Sequence, residues 1–594
     1  MNIGKTLGLV FIISFVILAS SVYGIEIANN GNAKAIIVVA KDAPIPDQHA
    51  AIELAGFLKQ ITGAQYQIHH LPVKESNCIL VGLDAARANN KNIPINIAGD
   101  EGIMIYSTDN TLILAGAGKR GTLYAVYTFL EDFLGCRWWS SKASTIPTKH
   151  TIELSDINYS YSPALEYRSA YWYDAFDGDW SVRNKCNGIN HRLDEKRGQN
   201  HVYQGFVHTF YQLIPPDKYY KDHPEWFSEI NGKRVHQRAQ LCLTNIEMRN
   251  ELVKNLKEQL KKNPAATIAS VSQNDWHGFC QCEKCKAVDQ EQASPSGSLL
   301  QFVNAVAEEI EKDFSQVAIS TLAYQYTRKP PKTIKPRHNV IVRLCSIECS
   351  FSQPLTHQEN IKFSSDIEGW SKICNRLHIW DYTTNFRYYI LLHPNLRVLG
   401  PNIKFFAKHN VKGIFEQGAY NSYGAEMAEL RAWVLAKLLW NPDLDAQKLI
   451  DEFLLGYYGD AGTHIAAYLK LTHDSIEKSG ERLGCFNTHS PKYMTYEMLT
   501  QAWQLLQNAQ QAVKNNPKLL SRVQCAQLPL MNAFLLNWQD LQKQSQKSNI
   551  KWPLPESILK VKEQFLAIAK KNNITRMEEW KTGFGQLDQA VGSL

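Results

Sequence analysis

Residues 411–420 read VKGIFEQGAY. Val411–Phe415 is a short apolar run broken only by Lys412, the pattern of a strand buried on both faces. Glu416 and Gln417 follow at once, and Gly418 opens a turn. The same arrangement recurs upstream. Thr267–Ser272 leads into Asn274-Asp275-Trp276, Val340–Cys345 into Glu348, and Arg376–Trp380 into Asp381-Tyr382. Leu165–Ala170, Arg238–Leu243 and Ala318–Ala323 read as further strands. Glu247–Lys262, Ser298–Phe314 and Pro401–His409 carry apolar residues at helical spacing, the last with Pro at its first position. Strand and helix alternate over residues 160–460, which predicts an α/β fold built on a central (β/α)8 TIM-type barrel. Seven strands are legible. The eighth is expected near His201–Tyr211 or in irregular form.

The flanks differ from this rhythm. Residues 25–155 hold four short apolar runs (AIIVVA, CILVG, GIMIYS, TLILAG) and helical patterns at 48–61 and 121–134, and predict a small N-terminal α/β domain. Gly116-Ala117-Gly118 reads as a tight strand-to-helix turn rather than a phosphate cradle. From 461 to 594 the strand signal is gone. Ala461–Lys478, Tyr496–Asn515, Leu519–Gln544 and Leu554–Lys571 predict a helical C-terminal domain. Residues 1–24 combine Lys5, an apolar stretch from Leu7 to Ala19 and small residues at Val22 and Gly24. They read as a cleaved signal peptide, and place the mature protein in the periplasm or outside the cell, with no integral membrane segment left after cleavage.

Composition narrows the function classes. The 594 residues are 44% hydrophobic and 20% charged, which excludes extended disorder. A net charge of +7 with no Lys/Arg block argues against nucleic acid as a partner. Fourteen Trp and 26 Tyr supply flat faces that suit sugar rings and also fill large cores.

In a (β/α) barrel the chemistry sits at the C-terminal ends of the strands. Four carboxylates stand there: Asp275, Glu348, Asp381 and Glu416. Paired carboxylates beside an apolar wall are what glycosidic cleavage requires, one as proton donor and one to support the anomeric centre. Arg168, Trp172, Asn274, Trp276, Tyr324, Trp380, Tyr382 and Gln417 are expected to contact substrate from the same mouth. No cofactor is needed for this chemistry. Cys280, Cys282 and Cys285 fall within six residues, and with Cys242 or His277 as a fourth ligand they read as a structural zinc site, or with Cys242 as a disulfide, not as a catalytic metal.

Longer segments carry a resemblance. HAAIELAGFLKQITG and GAGKRGTLYAVYTFLEDFLGCRWW are similar to the non-catalytic domain preceding the barrel in α-glucuronidases and β-N-acetylhexosaminidases. HPEWFSEINGKR, QLCLTN, SQNDWHGFCQCEKC, WDYTTNF, GIFEQGAY and ELRAWVLAKLLWNPDLD resemble the bacterial domain of unknown function 4838, associated with glycoside hydrolase family 163. The resemblance implies a retaining, substrate-assisted endo-β-N-acetylglucosaminidase acting on oligosaccharides or glycoprotein N-glycans. It points first to Glu416, with Asp275, Glu348 and Asp381 competing for the partner role. Two alternatives remain open, an exo-acting α-glucuronidase-like hydrolase and a non-catalytic glycan-binding barrel. A basic contact for a uronate, from Arg168, Arg192 or Arg343, would favour the former.

Overall fold

The computed structural model describes residues 25–70, 77–89, 97–108 and 110–592. The signal segment expected at 1–24 lies outside the described residues. Seven strands, β1 (Tyr167–Tyr171), β2 (Tyr203–Gln204), β3 (Ile268–Ser270), β4 (Ala318–Ala323), β5 (Val340–Cys345), β6 (Leu377–Tyr382) and β7 (Val411–Gln417), form one parallel sheet in the order β1-β7-β6-β5-β4-β3-β2. β1 and β2 do not pair directly. Asn187 stands between them: its N–H donates to the Arg168 carbonyl at 3.0 Å, and its carbonyl accepts from His201 N–H at 3.0 Å. Its side chain extends the ladder, accepting from Arg168 N–H (2.9 Å) and donating to the Glu166 carbonyl (2.9 Å). The ring is thus completed by one irregular stave. Gly188 is required there, since a Cβ would lie 2.5 Å from Ser169 Cβ.

Two expectations are corrected. Arg238–Leu243 is not a stave. It makes only isolated bridges, Leu241 to Phe227 and Ala239 to Gly278, and Arg238 sits at φ 49°, a left-handed conformation that no strand tolerates. β2 takes that place in the sheet. The helix expected from Pro401 instead starts at Leu396 and runs to Lys408, with Pro401 inside it. Leu396, Leu399, Ile403 and Phe406 bury one continuous face. That face outweighs the single hydrogen bond to the Arg397 carbonyl that Pro401 cannot make.

Inside the ring, Ile268, Ala318 and Ile341 pack at the N-terminal end of the strands. Above them Arg343 is 1% exposed and has no carboxylate partner among the described residues. Its guanidinium lies 4.8–6.0 Å from the ring centroids of Tyr167, Tyr203, Phe206, Trp380 and Phe415, and it donates to the Tyr203 hydroxyl. The negative faces of five rings take the place of a counter-ion.

The N-terminal domain holds a six-stranded sheet with four parallel strands on one side (Ile68–His70 at the edge, then Ile36–Val39, Cys78–Val81 and Thr111–Gly116) and two antiparallel ones on the other (Ile103–Thr108, Asn158–Tyr161). Its Gly116 meets Gly121 so closely that a Cβ would come within 2.1 Å of backbone. The turn serves strand–helix packing. Six helices between Gly462 and Gly592 form the C-terminal region, where the expected 519–544 helix divides at Asn537. No helix among the described residues is long and apolar enough to cross a membrane.

Buried ion pairs join the N-terminal domain to the barrel. Glu101 is paired with Arg120 (2.5 Å) and with Arg168 of β1. Glu131 is paired with Lys185 (2.9 Å) and with Lys437. Burial alone would raise both carboxyls, but the flanking cations outweigh it and hold each at about 2. Removing one partner of such a buried pair strands the other charge. Glu101→Gln is therefore expected to cost about 3–5 kcal/mol in urea denaturation at neutral pH. The folded pKa is depressed, so the contribution is present above the ordinary 4.5 and is lost as pH falls towards about 2. The gap between wild type and variant should close over that window; a constant gap would contradict the ionic account.

Candidate active site

A cavity of about 370 Å³ opens at the C-terminal ends of the strands. Strand alternation decides what it sees. Trp380 and Tyr382 of β6 and Phe415 and Gln417 of β7 line it, together with Tyr171, Cys345, Tyr324 and the segment Phe206–His208 that follows β2. Asp275, on the loop after β3, reaches it from one side. The far wall comes from the C-terminal region: Phe486, Glu579 and Trp580.

Two carboxylates therefore share the cavity, Asp275 and Glu579. Asp275 is exposed at the mouth, and its charge, after burial, helps to raise the neighbouring Tyr324 phenol. Glu579 is half-buried. Its Oε1 accepts from Gln417 Nε2 at 3.3 Å, and Gln417 Oε1 accepts in turn from the Trp380 indole N–H at 2.8 Å. Tyr420 also hydrogen-bonds Glu579. Burial and the Asp275 charge outweigh these bonds and push the Glu579 carboxyl above the usual carboxylate range. The segment carrying it is tied down by its backbone. Glu579 N–H donates to the Phe386 carbonyl (2.9 Å), and the Glu579 carbonyl accepts from Asn421 Nδ2 and Arg576 Nη1 (both 3.0 Å). Trp580 stacks on Phe486 at 5.9 Å and leaves 58% of itself exposed at the rim, a flat face available to a sugar ring.

Of the residues expected at the site, Asp275, Tyr324, Trp380, Tyr382 and Gln417 line the cavity. Glu416 and Asp381 do not. They are register partners on adjacent strands and alternate with the cavity-lining residues, so they face the helical shell. Asp381 accepts from the Ser346 hydroxyl and from Tyr382 N–H (2.9 Å); burial pushes it up to about 6. Glu416 is 1% exposed, neither oxygen has a hydrogen-bond partner among the described residues, and burial beside Asp381 pushes it well above the ordinary range. Glu348 is exposed and paired with Arg328 at 2.9 Å. Arg168 belongs to the interdomain clamp. Trp172 is fully buried against Gly418. Asn274 holds its loop through the Ala239 carbonyl (2.9 Å), and Trp276 lies beside Tyr211, both away from the cavity lining. Glu579 escapes the sequence reading because 572–584 follows a long helical stretch, far in sequence from the strand ends where the carboxylates are sought. The carboxylate–tryptophan pair in RMEEW, in a segment without helical pattern, is the signal that could have drawn notice.

The family model described as Domain of unknown function (DUF4838) matches residues 138–470, more than half of the chain. The chain belongs to the DUF4838 family. The model described as Glycosyl hydrolase family 67 N-terminus matches residues 26–129. No curated protein matches the chain. Among solved structures, this DUF4838 chain is similar to a family GH115 4-O-methyl-α-glucuronidase, BtGH115A, with specificity for decorated arabinogalactans. The identity is 13%, the match covers 96% of this chain and 80% of the other, and the TM-score is 0.62. A GH138 enzyme targeting pectin rhamnogalacturonan II matches at 10% identity over 92% and 94% of the two chains, with a TM-score of 0.45. The fold is shared with a glycoside hydrolase, and the N-terminal domain matches a glycosyl hydrolase family model.

The placement of Glu416 has a measurable consequence. A raised folded pKa means that the native state keeps a proton that the unfolded chain releases. Stability is then lost as pH rises above the unfolded value. Glu416→Gln mimics the protonated form. It should keep turnover within a few-fold of wild type and gain stability over wild type as pH rises from about 5 to about 8 in thermal melts. A loss of turnover by orders of magnitude in a folded variant would return Glu416 to the reaction.

Proposed function

We propose that the protein is a glycoside hydrolase whose reaction takes place in the cavity between Asp275 and Glu579, acting on a neutral, β-linked N-acetylglucosamine unit within a larger glycan. The observation that carries this reading is the pairing of two carboxylates from different parts of the chain in one aromatic-walled cavity at the strand ends. The lining contains no Lys or Arg among the described residues. This favours a neutral sugar over a uronate, whose carboxylate would need a cationic partner. Arg343 lies behind aromatic rings and Arg168 is committed to Glu101.

In the substrate-assisted route implied by the resemblance to family 163, Glu579 donates a proton to the leaving glycosidic oxygen. The substrate's acetamido oxygen attacks the anomeric carbon as that bond breaks. Asp275 accepts from the acetamido N–H, and the Tyr324 hydroxyl donates to the acetamido oxygen. Glu579, now a carboxylate, takes a proton from the water that opens the cyclic intermediate, so the enzyme is restored and configuration retained. Trp580 and Phe486 offer a platform for further sugars, which suits endo action. Export by the 1–24 segment is part of the same reading.

The test is to incubate purified protein with N-glycoproteins and with glucuronic-acid-decorated oligosaccharides, and to read products by mass. Release of a glycan cut at N-acetylglucosamine is expected; release of glucuronic acid would overturn the substrate assignment. Glu579→Gln and Asp275→Asn should each lower kcat by roughly 10²–10⁴-fold on the natural glycan. A nitrophenyl glycoside, whose leaving group needs no proton, should restore bond cleavage in Glu579→Gln and not in Asp275→Asn. The basic limb of the kcat/KM profile should lie above the ordinary glutamate value of 4.5. Equal loss on both substrates in both variants would reject the division of roles.

A further inference from the structure

We propose that Cys242, Cys280, Cys282 and Cys285 bind one zinc ion that fastens the loop carrying Asp275. The four sulfur atoms lie within 4.8 Å of one another, and all four side chains are buried. Cys242 Sγ stands 3.7 Å from Cys282 Sγ and 3.9 Å from Cys285 Sγ. Zinc–thiolate bonds of about 2.3 Å in a tetrahedron set the ligand sulfurs about 3.8 Å apart. The cluster already has the size of that coordination shell, and none of the four cysteines is disulfide-bonded.

The surroundings suit thiolates rather than thiols. Glu229 N–H donates to Cys280 Sγ at 3.3 Å, and Arg234 Nη1 approaches the same sulfur at 3.7 Å. The Thr244 hydroxyl lies 3.2 Å from Cys285 Sγ. Donors aimed at ligand sulfurs stabilise and orient a thiolate–metal centre, and the guanidinium offsets part of the double negative charge of a Zn(Cys)₄ unit. Four soft ligands select zinc over magnesium or calcium, and a complete protein shell leaves no open position, so the role is structural.

The ion would join two segments that lack a regular ladder between them. Cys242 follows the irregular 238–241 segment, whereas the other three cysteines follow the β3 loop. Between these anchors Gln240 accepts from Asn274 N–H (2.8 Å) and donates to the Asn274 (2.9 Å) and Trp276 (2.5 Å) carbonyls. Both neighbours of Asp275 are thereby held. Metal binding by these four cysteines is independent of which sugar the cavity takes.

The full-length protein, purified without chelator, should contain one zinc per chain by elemental mass spectrometry. Titration with an organomercurial should release one zinc per chain as the four thiolates are capped, one mercurial to each sulfur. Cobalt(II) exchanged into the site should show the visible bands and sulfur charge transfer of a tetrahedral tetrathiolate. Cys285→Ala, where it folds by circular dichroism, should retain under a tenth of the zinc; folded Cys285→Ala with full zinc would remove that residue from the site and overturn the four-cysteine assignment. The wild-type stoichiometry decides the question even where the variant does not fold. Native protein without zinc that takes up no added Zn²⁺ would overturn the proposal. So would an intact mass short of hydrogens, with peptides linking these cysteines.

Discussion

In a closed barrel each strand residue faces either the axis or the helices, and the period of two leaves no third choice. The strand-borne part of the cavity follows from that constraint. On β6 and β7 it sends Trp380, Tyr382, Phe415 and Gln417 into the cavity and Asp381 and Glu416 into the wall. On β5 it sends Arg343 to the axis, where the buried charge is met by rings from several staves. Those rings in turn are the floor on which the cavity stands. A register slip of one residue in β7 would exchange Gln417 for Glu416 and rebuild the site.

The fates of the buried carboxylates show how surroundings set protonation. Glu101 and Glu131 are as buried as Glu416, yet each faces two cations and is held at about 2. Glu416 faces only another acid and is pushed the other way. Burial raises all three. The presence or absence of a cation within ion-pair distance decides the outcome. The first two weld the N-terminal domain to the barrel. The third is a wall residue with a raised pKa, whose burial is a stability cost as pH rises.

The C-terminal region does more than brace the barrel. The Arg576–Trp580 segment is hydrogen-bonded to the loops after β6 and β7 and delivers a carboxylate and a tryptophan to the cavity. On the opposite side, the Gln240–Asn274 bonds hold the loop that delivers Asp275. The two acids of the candidate site are thus carried by irregular segments. Their positions rest on side-chain and backbone hydrogen bonds rather than on a strand ladder.

The sequence by itself determined the alternation of strand and helix, the carboxylates at strand ends and the four cysteines, because hydrophobic periodicity and turn residues are local signals. It also carried enough of VKGIFEQGAY and SQNDWHGFCQCEKC to indicate the family. Only the tertiary structure decided which strand-end carboxylates see the cavity, because the direction of a side chain depends on which face of the strand meets the axis. Only it could turn Asn187 into a stave, remove Arg238–Leu243 from the sheet, and set Glu579 against Gln417. These are contacts between distant parts of the chain, formed where irregular backbone satisfies its hydrogen bonds with whatever neighbour folding supplies.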